Sequence, residues 1–205
     1  TTFDDITRSA DAAACEPISL PTASRVSVTM DFDDGSTLDM ILDPRTVISI
    51  TAGAAFAFLD PVHGGVEVRS TPSASGYGTL RLTATFPNFG RASTISCSKD
   101  MELVVFDAMS INSFPFPSYP AMPYKTVLDL VACSDEYQRA QASVIVTLTN
   151  ADTYDVTMYS AYTSSRSAVV TMASYVMVSK RPGSSVVSAT FCGKESSAGI
   201  TITVQ

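Results

Sequence analysis

The chain has 205 residues, 45% of them apolar and 16% charged, with a formal net charge of −7. This is the composition of a folded chain, and its acidity leaves no electrostatic footprint for nucleic acid or anionic membranes. No run reaches the ~18 apolar residues that a membrane-spanning helix needs. Ser, Thr and Val are abundant while Glu and Lys are scarce, the bias of strands over helices.

The chain opens with an irregular polar lead through Pro17 and Pro21. Val26, Val28 and Met30 then alternate with Ser27, Thr29 and Asp31, the period of a half-buried strand. Asp33-Asp34-Gly35-Ser36 is a turn signal, and Leu38, Met40 and Leu42 resume the alternation, so the stretch predicts a β-hairpin. Further strands are expected at 47–50, 55–59, 66–68 after the turn His63-Gly64-Gly65, 80–86, and around 102–106. The second half repeats the pattern: 144–149, a turn at Asn150-Ala151-Asp152, then 154–158, 168–172 and 175–178. Arg181-Pro182-Gly183-Ser184 is a turn before 186–191, and Ile200, Ile202 and Val204 end the chain. Residues 127–132 and 136–142 are the only candidates for helical turns. Short strands at regular spacing predict an all-β sandwich architecture.

The chain also echoes itself. Leu82-Thr83-Ala84-Thr85-Phe86 returns as Val187-Ser188-Ala189-Thr190-Phe191. Cys15 lies eleven residues before Val26 and Cys133 eleven before Val144, with Asp39 and Asp155 at nearly matching offsets. A period of about a hundred residues predicts tandem domains, expected at 1–111 and 124–205 with a connector at 112–123. Residues 1–111 hold fourteen acids and seven bases, and 112–205 hold six of each. In the connector four prolines alternate with aromatics, an extended and stiff composition. Phe114, Phe116, Tyr119 and Tyr124 are expected to pack into the interdomain junction. A docking motif for a polyproline-binding partner and a plain exposed linker are the rival readings.

Four cysteines allow three pairings. The repeat favours Cys15–Cys97 and Cys133–Cys192, one bridge in each domain, because each domain of an array must fold alone. Reduced core cysteines and a metal site are the alternatives; the latter lacks C-x-x-C spacing and has only His63 to draw on. Disulfides imply an oxidising compartment, hence an extracellular or cell-surface protein. The start lacks both an initiator Met and a signal peptide, and the end is strand-like, so a segment of a longer chain or a mature product is expected.

Residues 26–46 resemble the opening of a bacterial immunoglobulin-like domain of group 2: strand, Asp-Gly-Ser turn, strand. The second repeat is similar in Tyr154-Asp155-Val156-Thr157, Tyr162-Thr163-Ser164-Ser165 and Ala168-Val169-Val170, and 78–86 and 183–191 resemble the closing strand of that family. The cysteines, the connector and the insertion between Leu59 and Gly78 depart from it. Diverged arrays of this kind also occur in large extracellular proteins of eukaryotes, including mastigoneme surface glycoproteins. The resemblance implies an all-β chain of two tandem immunoglobulin-like β-sandwiches joined by a Pro/aromatic connector. It further implies a non-catalytic structural module pair of a larger surface or filament-forming protein, with no cofactor. Its partners would be itself or neighbouring domains of the same protein.

Other chemistry is weakly represented. Asp31, Asp33 and Asp34, with Asp39 and Asp43, superficially suit a calcium loop, but the EF-hand spacing fails and a solvated hairpin face is the plainer reading. A Ser–His–Asp arrangement would have to use His63, and no G-x-S-x-G nucleophile motif occurs. The glutamates at 16, 67, 102, 136 and 195 have no partner suggestive of acid–base work. No enzyme is expected. With no Trp, a carbohydrate- or receptor-binding module would rely on Tyr77, Tyr119, Tyr124, Tyr162 and Tyr175. There is no N-glycosylation sequon, and Ser118 among prolines is a candidate for O-linked sugar.

Overall fold

A computed structural model describes residues 6–8, 17–18, 23–71, 76–87 and 94–205. The chain is all-β and separates into two compact units. Unit 1 is Thr1–Ala13 with Ser19–Val105, and unit 2 is Ala14–Ile18 with Phe106–Gln205.

In unit 1 the strands are β1 (Ile6–Arg8), β2 (Ala23–Val26), β3 (Thr29–Asp31), β4 (Thr37–Asp39) and β5 (Val47–Ala52). They continue with β6 (Ala57–Val62), β7 (Gly65–Ser70), β8 (Gly78–Pro87) and the first half of β9 (Thr94–Phe116). One sheet runs β5–β8–β9, antiparallel, with β1 added to β9 in parallel so that Ile6 faces Leu103. The other runs β2–β7–β6, and β3–β4 form a hairpin. Alternation on β8 turns Leu80, Leu82, Ala84 and Phe86 inward, where they join Met101 and Leu103 and pack on Val26, Ala57 and Val68 of the second sheet. The outward residues pair across strands: Arg81 makes two bonds to Asp100 (2.6 and 2.8 Å), and the Thr83 hydroxyl bridges Thr51 and Ser98.

Unit 2 has the same frame. Its strands are β10 (Val127–Leu128), β11 (Arg139–Leu148), β12 (Thr153–Asp155), β13 (Ala161–Ser164) and β14 (Val170–Ala173). β15 (Val176–Ser179), β16 (Gly183–Phe191), β17 (Lys194–Glu195) and β18 (Ile200–Val204) complete it. β10 joins β18 in parallel, followed by β16 and β13, as β1 joins β9, β8 and β5. β11–β15–β14 reproduces β2–β7–β6, and β12 folds back on β11 as β4 does on β3. The second half of β9 adds one more strand, antiparallel to β11.

The hairpins correspond in pairing register at an offset of 116. Thr29 faces Asp39 and Ile145 faces Asp155; the Met40 N–H returns to Val28 C=O at 2.8 Å and Val156 N–H to Val144 C=O at 2.9 Å. Further along the offset falls to 105, where Gly78 and Gly183 both open a strand with positive φ, +119° and +140°. The difference of eleven residues lies in the middle, where unit 1 has six-residue strands in β6–β7 and unit 2 four-residue strands in β14–β15.

Two expectations need correction. The units divide after Val105, inside β9, rather than at 111. Residues 112–116 are ladder residues, with Pro115 opposite Ala140, and the loop beyond returns alongside them: Lys125 N–H donates to Ser113 C=O (2.8 Å) and Ser113 Oγ to Lys125 C=O (2.6 Å). The stretch 112–123 is therefore part of unit 2, because its backbone groups find their partners there. The helical turns expected at 127–132 and 136–142 do not form: Val127 and Leu128 pair with β18, Arg139 onward pairs with β9 and β15, and a turn closed by the Leu130–Tyr137 bridge lies between.

Candidate functional site

Ser185 occupies the frame position that Leu80 holds in unit 1, and it is as buried, at 2% exposure. A hydroxyl in a core position must be satisfied, and three partners do so. Ser164 Oγ donates to Val170 C=O (2.7 Å), which leaves it to accept from Ser185 at 2.8 Å. Ser185 Oγ accepts in turn from Arg166 N–H (2.9 Å) and from Ser165 Oγ (3.3 Å). The 165–169 loop is closed further by Val169 and Val170 N–H, both on Arg166 C=O. This loop and the turn before β16 enclose an open cleft of roughly 660 Å³, with Arg166, Ser167 and Ala168 on one side and Arg181 and Pro182 on the other. Both guanidinium groups are exposed, and neither has an ion-pair partner among the described residues. Gly183 is needed at its floor: a Cβ there would lie 3.1 Å from Val169 Cγ2, at a φ of +140°. The cleft can bind anionic groups, since two arginine forks suit carboxylate or phosphate oxygens.

The β3–β4 hairpin of unit 1 is its electrostatic opposite. Asp31, Asp33, Asp34 and Asp39 are all exposed. Asp34 Oδ1 accepts from both the N–H and the hydroxyl of Ser36 (2.9 and 2.6 Å), and these bonds, the hydroxyl first, lower its pKa. Asp39 and Asp43 accept from the backbone N–H two residues on, at Ile41 and Arg45. These are Asx turns, so the acidic cluster is turn chemistry. Among the described residues no three His, Cys, Asp or Glu come together in a metal-holding group.

A third feature is a groove of about 550 Å³ in unit 2, lined by Pro115, Phe116, Tyr119, Tyr137, Gln138 and Arg139. Lys125 also borders it but is held by Asp129 at 3.3 Å. Aromatic faces beside an amide and a cation form a surface on which a sugar ring can stack and hydrogen-bond.

The expected junction aromatics all fall within unit 2. Phe114 and Tyr124 pack as a tilted ring pair, centroids 5.1 Å apart and planes at 34°, while Phe116 and Tyr119 line the groove. Of the five candidate tyrosines only Tyr119 reaches it. Tyr162 instead donates to Thr157 C=O (2.8 Å), and burial, with the nearby Asp155 charge, pushes its pKa up to about 12. His63 is exposed in the β6–β7 turn, Glu67 pairs with Arg69 at 2.8 Å, and Glu102, Glu136 and Glu195 are exposed. Glu16 lies outside the described residues. Ser118 is exposed.

The cysteine scheme is overturned. Cys97 and Cys133 are free and exposed, and Cys192 is disulfide-bonded; Cys15 lies outside the described residues. Cys133–Cys192 is excluded by topology. Leu128 pairs with Val204 and Val204 with Gly183, which puts the turn carrying Cys133 near the start of β16. Cys192 follows the far end of that nine-residue strand. At ~3.3 Å per residue the two ends are roughly 26 Å apart, against the ~7 Å limit between bridged Cα atoms. Cys97 sits on β9 opposite Ala84 with its thiol unbridged, so Cys15–Cys97 is not formed either.

The sequence signal missed the arginine cleft and the buried serine beneath it. The echo, extended two residues upstream from Leu82 and Val187, would have put Ser185 opposite Leu80 and marked a polar residue in a core position.

No family pattern and no curated protein matches the sequence. Among solved structures, the chain is similar to domains 6–7 of the surface layer protein SbsC, at 13% identity and a TM-score of 0.40, over 98% of this chain and 92% of that one. It is also similar to the N-terminal part of the bacterial S-layer protein SbsC, at 13% identity and a TM-score of 0.28, over 99% of this chain and 43% of that one. At that distance the description of the fold rests on this chain's own ladders.

Proposed function

We propose that the chain is a non-catalytic pair of immunoglobulin-like structural modules from a larger extracellular surface or filament-forming protein. Its partners are further copies or neighbouring domains of the same protein. The observation that carries this reading is one β-frame laid down twice, with pairing register and turn bonds kept and the surface changed. A repeated frame with variable faces serves spacing and self-association. Sedimentation velocity of the full chain over a concentration series tests it. Growth in mass with concentration is expected; a monomer throughout, with no fibres in negative-stain images of the native material, overturns it.

A second reading, a glycan-binding module, is favoured by the groove at Phe116, Tyr119 and Tyr137. It expects glycan-array signals that Tyr119→Ala and Tyr137→Ala each abolish. Signals indifferent to both substitutions would remove it.

A further inference from the structure

The two units carry opposite charge at positions that are not duplicated. Asp31, Asp33 and Asp34 correspond, at the offset of 116, to Thr147, Thr149 and Asn150. Arg181 corresponds, at the offset of 105, to Gly76, and the 53–56 turn after β5 contains no cation. Within unit 1, Arg45 is bound to Asp43, Arg69 to Asp60 and Glu67, and Arg81 to Asp100, while Arg25 donates to Gly64 C=O. None of these reaches the hairpin tip. Asp31 and Asp33 are left without an ion pair among the described residues, as are Arg166 and Arg181 of unit 2.

The hairpin tip also exposes an aromatic side chain. Phe32 is 39% exposed, whereas Leu148, its counterpart, is 3% exposed. The sequence Asp31-Phe32-Asp33 is thus an apolar wedge flanked by carboxylates. The cleft offers the matching set: two guanidinium groups beside Ala168 and Pro182.

We propose that the Arg166–Arg181 cleft of one copy receives the Asp31–Phe32–Asp33 hairpin tip of a second copy. A symmetric pairing of hairpins would set carboxylate against carboxylate. The head-to-tail contact sets carboxylate against guanidinium and leaves each pair of copies with one unused hairpin and one unused cleft, so it propagates. The 165–169 loop is fixed by Ser185 before contact, so little order has to be gained on binding. This inference rests on the self-association reading above and names the surfaces that carry it.

The test is a charge exchange in the full chain, followed by light scattering at low and high ionic strength. The wild type associates, and more weakly as salt rises. D31K/D33K and R166E/R181E each associate at least about tenfold more weakly alone. Mixed one to one they recover, because each hairpin then meets a cleft of opposite sign; a misfolded variant would not recover. If the wild type associates and both variants match it, the contact lies elsewhere and the inference fails while self-association stands. If the wild type stays monomeric, both fail. If heparin binds the wild type and not R166E/R181E while association is unchanged, the cleft serves an acidic polysaccharide and the inference is overturned.

Discussion

The hairpins at 28–40 and 144–156 share their register and turn hydrogen bonds and almost no surface. In both, the residue that enters the turn is bonded the same way: Phe32 N–H to Ser36 C=O and Leu148 N–H to Asp152 C=O, each at 2.9 Å. In both, a buried pair brackets the turn, Val28 with Met40 and Val144 with Val156. Yet one tip presents three carboxylates and an exposed Phe, and the other Thr, Thr, Asn and a buried Leu. The frame is set by the aliphatic bracket and the backbone bonds, which leaves the outward positions free to diverge.

That separation can be broken or sharpened by matched substitutions. The largest effect is expected where the frame position is apolar. Leu80→Ala should lower unfolding free energy by about 2–5 kcal/mol in urea titration. Its counterpart Ser185→Ala should cost less, roughly 1–3 kcal/mol, by leaving the Arg166 N–H without its acceptor. Faster amide exchange at Arg166 would accompany that loss. Equal losses at the two positions would contradict the difference in their roles.

A smaller pair concerns the turns. Gly35 has φ +80° with open space around a would-be Cβ, and Ala151 stands at the matching position with φ +69°. Gly35→Ala should destabilise by about 1 kcal/mol. Ala151→Gly should stabilise by only a few tenths, since glycine's freedom in the unfolded chain offsets the relief. Opposite signs in thermal melts are the expected result, and a shared sign would show that the turns are not equivalent.

The smallest effect is electrostatic and confined to unit 1. The Arg45 side chain, followed by its backbone N–H, holds Asp43 at a pKa of about 2. Because the folded value lies below the ordinary one near 4, this contribution is present above about pH 4 and is lost as pH falls through about 2. A carboxyl NMR titration should place the Asp43 midpoint near 2, and Arg45→Gln should move it back toward 4.

Much of the frame was legible because alternation and turn chemistry are local. The turn at Asp33–Ser36 and the echo between 82–86 and 187–191 are where a turn and strands stand, and Val26-x-Val28-x-Met30 keeps its alternation although the strand breaks at Ser27–Val28 into β2 and β3. One local reading failed, since the strand expected at 154–158 ends at Asp155 and gives way to a 3-10 turn at Thr157–Tyr159; the other failures were non-local. Pro115 and Phe116 read as a linker because proline weakens a strand pattern, but the ladder with Arg139 and Ala140 extends through them. The cysteine pairing depended on which end of β16 each residue occupies, and spacing along the chain does not encode that. The cleft depended on a loop and a turn sixteen residues apart meeting across a buried serine.

The falling offset between the copies, from 116 to 105, shows where length is free to drift. Inside the hairpin a single inserted residue would turn every later side chain to the other face, exposing Met40 or Val156. Between β5 and β8 an insertion at the β6–β7 turn lengthens both strands of that pair together and leaves Ala57 and Val68 in the core. A duplicated gene would therefore keep thirteen residues at constant length while the neighbouring segment grew or shrank. Insertions for tags or labels belong in the β6–β7 turn at His63–Gly64, and changes of partner belong in point substitutions at the hairpin tip.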